Sequence, residues 1–83
     1  MKKNVVIQMS NSMEATPIAH LVQLANQFNS KVYFEMDTKK VNAKSIMGMM
    51  SLALPTGSNV TVTVNGADEE AAMKDIEAYL RGE

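Results

Sequence analysis

Val60-Thr61-Val62-Thr63-Val64 alternates apolar and polar side chains without a break. A period of two commits the segment to a β-strand with one buried and one wet face. Other segments repeat the pattern. Asn4 to Met9 places Val5, Ile7 and Met9 on one side and Asn4, Val6 and Gln8 on the other. Val32, Phe34 and Met36 alternate against Lys31, Tyr33 and Glu35. After the tight turn Asp37-Thr38-Lys39, Lys40 to Ala43 reads as a short return strand, so the pair is a hairpin. Strands with a single apolar face predict an antiparallel sheet covered on one side and open to water on the other.

Between the strands the apolar period lengthens to that of a helix. The run Ser10-Asn11-Ser12 ends the first strand, and a helix begins near Ala15-Thr16-Pro17, where proline fits the first turn. Ile18, Leu21, Val22, Ala25 and Phe28 form its buried stripe, Thr16, His20, Gln23 and Gln27 its outer face, and Asn29-Ser30 its end. A second helix follows Ser45 and stops before Pro55-Thr56-Gly57-Ser58. Asn65-Gly66 turns the last strand into a third helix, capped by Asp68, with Glu69 and Glu70 in the first turn and Ala72, Met73, Ile76, Tyr79 and Leu80 on its apolar face. The order is β-α-β-β-α-β-α, an α+β arrangement in one domain over residues 1–83.

Composition removes several function classes. A net charge of −1 leaves no basic excess to neutralise nucleic-acid phosphates. Without cysteine there is no disulfide, thiol chemistry or thiolate metal site. Val5-Val6-Ile7 is too short for a signal peptide's apolar core and nothing approaches a membrane span, so the expected location is the cytoplasm. Four scattered glycines build no phosphate loop, and the single histidine, His20, has no partner for a metal site. These observations favour a binding or regulatory module over an enzyme, with no cofactor.

Val41-Asn42-Ala43-Lys44-Ser45-Ile46-Met47-Gly48-Met49-Met50-Ser51-Leu52 is the segment where a specific function is legible. Ser45 is a natural N-cap, and the amides it would cap also suit a phosphate, which would bring about 1.5 to 2 negative charges. The residues after it, Ile46, Met47, Met49, Met50, Leu52, Ala53 and Leu54, are apolar on nearly every side. A helix lying on a sheet buries one face, so some of them must stay exposed. Half of the eight methionines fall between Met36 and Met50; most of the eight are expected to fill the core, while a Met-rich helix also suits a surface that accepts several partners.

The same segment resembles the regulatory-serine signature of the HPr family, the histidine-containing phosphocarriers of the bacterial sugar phosphotransferase system. The resemblance extends through Leu21-Val22-Gln23, Ala25 and Phe28 upstream and Gly66-Ala67-Asp68-Glu69 downstream. It implies an HPr-like open-faced β-sandwich: a four-stranded antiparallel sheet covered on one face by three helices. In the family a His-Ala-Arg-Pro motif carries the phosphoryl group. Here the corresponding run is Glu14-Ala15-Thr16-Pro17, so Glu14 stands at the histidine position and Thr16 at the arginine position. Glutamate cannot act as a phosphorylated imidazole, and Thr16 offers no guanidinium to steady a transferring group. Catalytic residues are therefore none.

A Crh-like branch of the family is similar in lacking the histidine while keeping the serine. That likeness implies phosphorylation of Ser45 by HPr kinase/phosphorylase, and a partner that is a catabolite control transcription factor or a metabolic enzyme. Ile46, Met47 and Met50 are the implied apolar contacts, with His20 and Lys44 beside them, and Lys39, Lys40 and Lys44 are candidates to steady the phosphate or a partner's acidic groups. Thr38 stands where many relatives place glycine in the hairpin turn. Two alternatives stay open: a phosphocarrier working through Glu14 or His20, and an unphosphorylated interaction module, including a homodimer. Direct binding to nucleic acid or membrane is not expected.

Overall fold

A computed structural model describes residues 1–9, 15–52 and 54–83; the expected break at Ser10-Asn11-Ser12, Glu14 and Ala53 lie outside the described residues. Seven described elements follow in order: β1 (Lys2–Val6), α1 (Ala15–Asn26), β2 (Lys31–Met36), β3 (Lys39–Asn42), α2 (Ile46–Ser51), β4 (Asn59–Asn65) and α3 (Glu69–Leu80). The strands form one antiparallel sheet in the order β1-β4-β2-β3. Strand β4 is central, pairing Val60 with Val5 on one side and Val62 with Phe34 on the other. The alternation holds as expected: Val60, Val62 and Val64 are buried, as are Val5, Val32 and Phe34, while Thr61, Thr63, Tyr33 and Glu35 are not. Ile18, Leu21, Val22 and Ala25 of α1 and Ala72, Met73, Ile76 and Leu80 of α3 complete the same core. Burying an aliphatic side chain of this kind contributes about 1.5–3 kcal/mol.

Several boundaries differ from the periodicity, each for a tertiary reason. Strand β1 starts at Lys2 and ends at Val6, because its partner β4 begins at Asn59, opposite Val6. Ile7 and Met9 still point inward, held by other partners. The Ile7 amide donates to the Ser58 carbonyl at 2.8 Å, and the Gln8 and Met9 amides donate to the Leu80 carbonyl at 2.8 and 3.1 Å, at the end of α3. Helix α1 ends at Asn26, earlier than Asn29; the Gln27 and Phe28 amides bond three residues back, to Leu24 and Ala25, and tighten the exit. The hairpin turn is Asp37-Thr38 alone, and Asp37 adopts φ 57 while Thr38 keeps a negative φ. Lys39 thereby joins β3, and Ala43 leaves it.

Asp68 corrects a further expectation. It occupies the cap position of α3 but makes no side-chain cap bond. Its carboxylate accepts the Asn29 amide at 2.8 Å, the Ser30 amide at 2.9 Å and the Ser30 hydroxyl, tying the β4–α3 turn to the α1–β2 turn. The Ser30 hydroxyl, and then the Asn29 amide, hold its pKa below the usual carboxylate range. Gly66 makes this approach possible: a Cβ there would lie 2.6 Å from the Ser30 Cα. At the other end of α3, Glu77 accepts from Lys3 Nζ at 2.7 Å and pairs with Arg81 at 2.8 Å, and the Lys3 bond holds its pKa down.

Gly66→Ala is expected to destabilise the protein by about 1–3 kcal/mol, since the new methyl meets backbone, and denaturant unfolding measures it. Asp68→Asn tests the carboxylate. A depressed folded pKa stabilises at neutral pH and loses that contribution as pH falls through the folded value. The variant should melt below the wild type at pH 7, with the gap closing as both are acidified below about pH 4, in a Tm series against pH.

Candidate functional site

Ser45 follows the turn at Ala43-Lys44 and precedes α2 in extended backbone, with φ −103 and ψ 117. Its hydroxyl accepts the Gly48 amide at 3.2 Å, which makes it the N-cap that its residue type and position suggested. Its own amide donates to the Asn42 carbonyl at 3.0 Å, and its carbonyl accepts from Met49 at 3.0 Å. Ser45 is half-buried, and α2 runs only from Ile46 to Ser51 before Leu52 returns to extended backbone. In so short a helix Met49 is turned into the core, with Leu52 and Leu54 buried beyond it. Ile46, Met47 and Met50 are left 44%, 81% and 53% exposed, all on the short helix that follows the serine. Among the seven described methionines Met9, Met49 and Met73 are buried and Met36 packs against the core from its edge, while Met1, Met47 and Met50 are exposed.

The three nearby lysines are engaged away from the serine hydroxyl. Lys44 Nζ donates to the Phe28 carbonyl at 2.6 Å, just past the end of α1. Lys39 Nζ donates to the Ser51 carbonyl at 2.7 Å, where a cation complements the C-terminus of α2. Lys40 Nζ stands 5.0 Å from the centre of the Tyr33 ring. Lys39 and Lys44 thereby brace the exit of α2 and its approach.

Ala15 and Thr16 are exposed in the first turn of α1, and His20 is exposed one turn later. Helix α1 packs against α2, so the Thr16/His20 helix and the methionine helix lie side by side. Tyr79 of α3 donates its hydroxyl to the Pro17 carbonyl at 2.9 Å, and its burial raises the phenol pKa. That tie to the start of α1 was hidden in the sequence, where Tyr79 counted only as part of an apolar face. Asn26 was missed as well; its amide bridges the Val22 and Lys44 carbonyls at 2.9 and 3.2 Å. A polar residue at a helix end is the one signal the sequence carried for it. Among the described residues, no group of three or more His, Asp or Glu side chains is placed to hold a metal. A shallow pocket of about 320 Å³ between Lys3, Lys74, Glu77 and Arg81 shares no residue with the Ser45 surface.

The model for the PTS HPr component phosphorylation site matches residues 1–81 of this sequence. The chain belongs to the HPr family. The HPr-like protein Crh of Bacillus subtilis strain 168 is 46% identical over 82 residues, covering 99% of this chain and 96% of that one. A crystal structure of the phosphocarrier protein HPr from Bacillus anthracis strain Ames aligns with a TM-score of 0.92 at 46% identity, over 96% of this chain and 95% of the other. The crystal structure of the Bacillus subtilis Crh, described as a dimer with a swapping domain, aligns with a TM-score of 0.81 at 48% identity, over 95% and 91%. The expected architecture of the family, a four-stranded antiparallel sheet with three helices, is the one described here.

Ser45→Ala removes the side-chain cap of α2, and should lower stability by about 0.5–2 kcal/mol, measured by urea unfolding, with Ser45→Asp closer to the wild type.

Proposed function

We propose that this chain is a non-catalytic regulatory member of the HPr family, phosphorylated on Ser45 by an HPr kinase/phosphorylase and read by protein partners in carbon catabolite regulation. The observation that carries the reading is the placement of Ser45: it caps α2 directly beside exposed Ile46, Met47 and Met50. The sequence supports it from the other direction, because Glu14 and Thr16 replace the histidine and arginine of phosphoryl transfer. Likeness to Crh, a catabolite-repression protein, supports the same direction.

A phosphate on Ser45 would add about two negative charges and three strong acceptors next to the amides of the first turn of α2. Charge-assisted bonds to those amides would hold the dianion in place, and the partner would meet a fixed charge bordered by adaptable methionine side chains. The chain supplies the recognised surface and does no chemistry of its own, with the cytoplasm as its place of action. The partner is a transcription factor of catabolite control or a metabolic enzyme. Self-association is a second mode of partnering. Strand β1 is an edge strand whose one neighbour among the described strands is β4, the kind of element that can be exchanged between copies, and the related Crh forms a dimer with a swapping domain.

Intact-mass measurement decides between the readings. Incubation with an HPr kinase/phosphorylase and ATP should add one acid-stable phosphoryl group, absent in Ser45→Ala. Enzyme I with phosphoenolpyruvate should add nothing; an acid-labile addition in that arm would favour the phosphocarrier, and silence in both arms would leave an interaction module.

A further inference from the structure

Lys44 is fastened at three points. Its amide donates to Asn42 Oδ1 at 2.9 Å, its carbonyl accepts from Asn26 Nδ2 at 3.2 Å, and its ammonium donates to the Phe28 carbonyl at 2.6 Å. The last contact is partly buried and falls just beyond the C-terminus of α1, where the helix dipole favours a cation. Asn26 uses the same amide to bond Val22 within α1, so one side chain joins the last turn of that helix to the backbone of residue 44. Lys44 lies in the turn that the Ser45 amide closes on the Asn42 carbonyl at 3.0 Å, and Ser45 follows in extended backbone. Its hydroxyl meets the Gly48 amide while the Lys44 amine runs back to α1.

We propose that Lys44, together with Asn26, positions Ser45 for its kinase and does not bind the phosphate; this rests on the reading of Ser45 as the modified serine. The chain just before the serine is clamped to α1, so the hydroxyl and the exposed Ile46 and Met47 are presented as one fixed surface. Without the clamp, residues 43–45 sample other conformations. When only a fraction of molecules is competent to bind, apparent affinity falls by that fraction while turnover of the bound complex is unchanged.

Steady-state phosphorylation of the full chain by an HPr kinase/phosphorylase and ATP tests this. Lys44→Met and Asn26→Ala should each raise KM about tenfold with kcat unchanged. Lys44→Arg should recover part of the loss, and Lys74→Met on α3, with the same change of charge, should behave as wild type. Phosphorus NMR of the phosphorylated proteins separates clamp from ligand: the phosphoserine pKa should be the same in Lys44→Met as in wild type, whereas removing a phosphate-binding cation would raise it. Hydrogen exchange reads the clamp without any kinase, and the Gly48 amide should lose protection in both Lys44→Met and Asn26→Ala. A raised phosphoserine pKa in Lys44→Met would overturn the proposal, as would an Asn26→Ala protein with wild-type KM and Gly48 protection. If the wild type takes no phosphate, the Ser45 reading fails, and the Gly48 amide still decides whether Lys44 positions the serine.

Discussion

The sheet offers a single apolar face, and the three described helices have to share it. Val5, Val32, Phe34, Val60, Val62 and Val64 all point to that face, and α1 and α3 cover it with eight buried residues between them. Their axial length leaves α2 only a corner, against α1 and the end of β3. Six residues are enough there to bury Met49. The exposed Ile46, Met47 and Met50 are what remains of an apolar segment that found no further sheet to cover. The proposed docking surface is thus a consequence of how little room a small one-sided core provides.

Polar contacts then fix the parts that burial alone would leave loose. Asp68 ties two turns together, Glu77 ties β1 to α3, and Leu80 accepts two amides from the segment that follows β1. Lys44 and Asn26 do the same for the approach to α2, and Lys39 for its exit. The helix that carries the proposed signal is braced at both ends by lysines, while its outward side stays free. A rigid frame under an adaptable methionine surface suits a module that must present one serine and accept more than one partner.

Much of the fold was legible in the sequence because its strands and long helices each carry a clear period. Val60 to Val64 could be nothing but a one-faced strand, and the stripe from Ile18 to Ala25 placed the body of α1, though its last member, Phe28, lies past the end of the helix. The errors fell where pairing partners set the boundary. Ile7 and Met9 continue the alternation of β1, but opposite them the chain is the turn before β4, so the ladder stops at Val6. Asp68 has the residue type and position of a cap, yet Gly66 lets the turn come close enough to Ser30 for the carboxylate to be claimed from outside the helix. For the site, Ser45 and its apolar neighbours were readable from local chemistry, whereas the lysines were not, since nothing local says which carbonyl a long flexible side chain will reach.

By itself the sequence determined the one-faced strands and the capped α2, both of which depend on residue type and short-range spacing. It also carries Glu14 and Thr16 at the positions where resemblance to the HPr family implies a histidine and an arginine. Only the tertiary structure decided which methionines stay outside, how far α2 extends, and that Lys44 faces α1 while Ser45 faces Gly48. Those outcomes depend on competition for one limited apolar surface and on hydrogen-bond partners from elsewhere in the chain: Asn26 and Phe28 of α1 and its exit for Lys44, Ser51 for Lys39, Ser30 for Asp68.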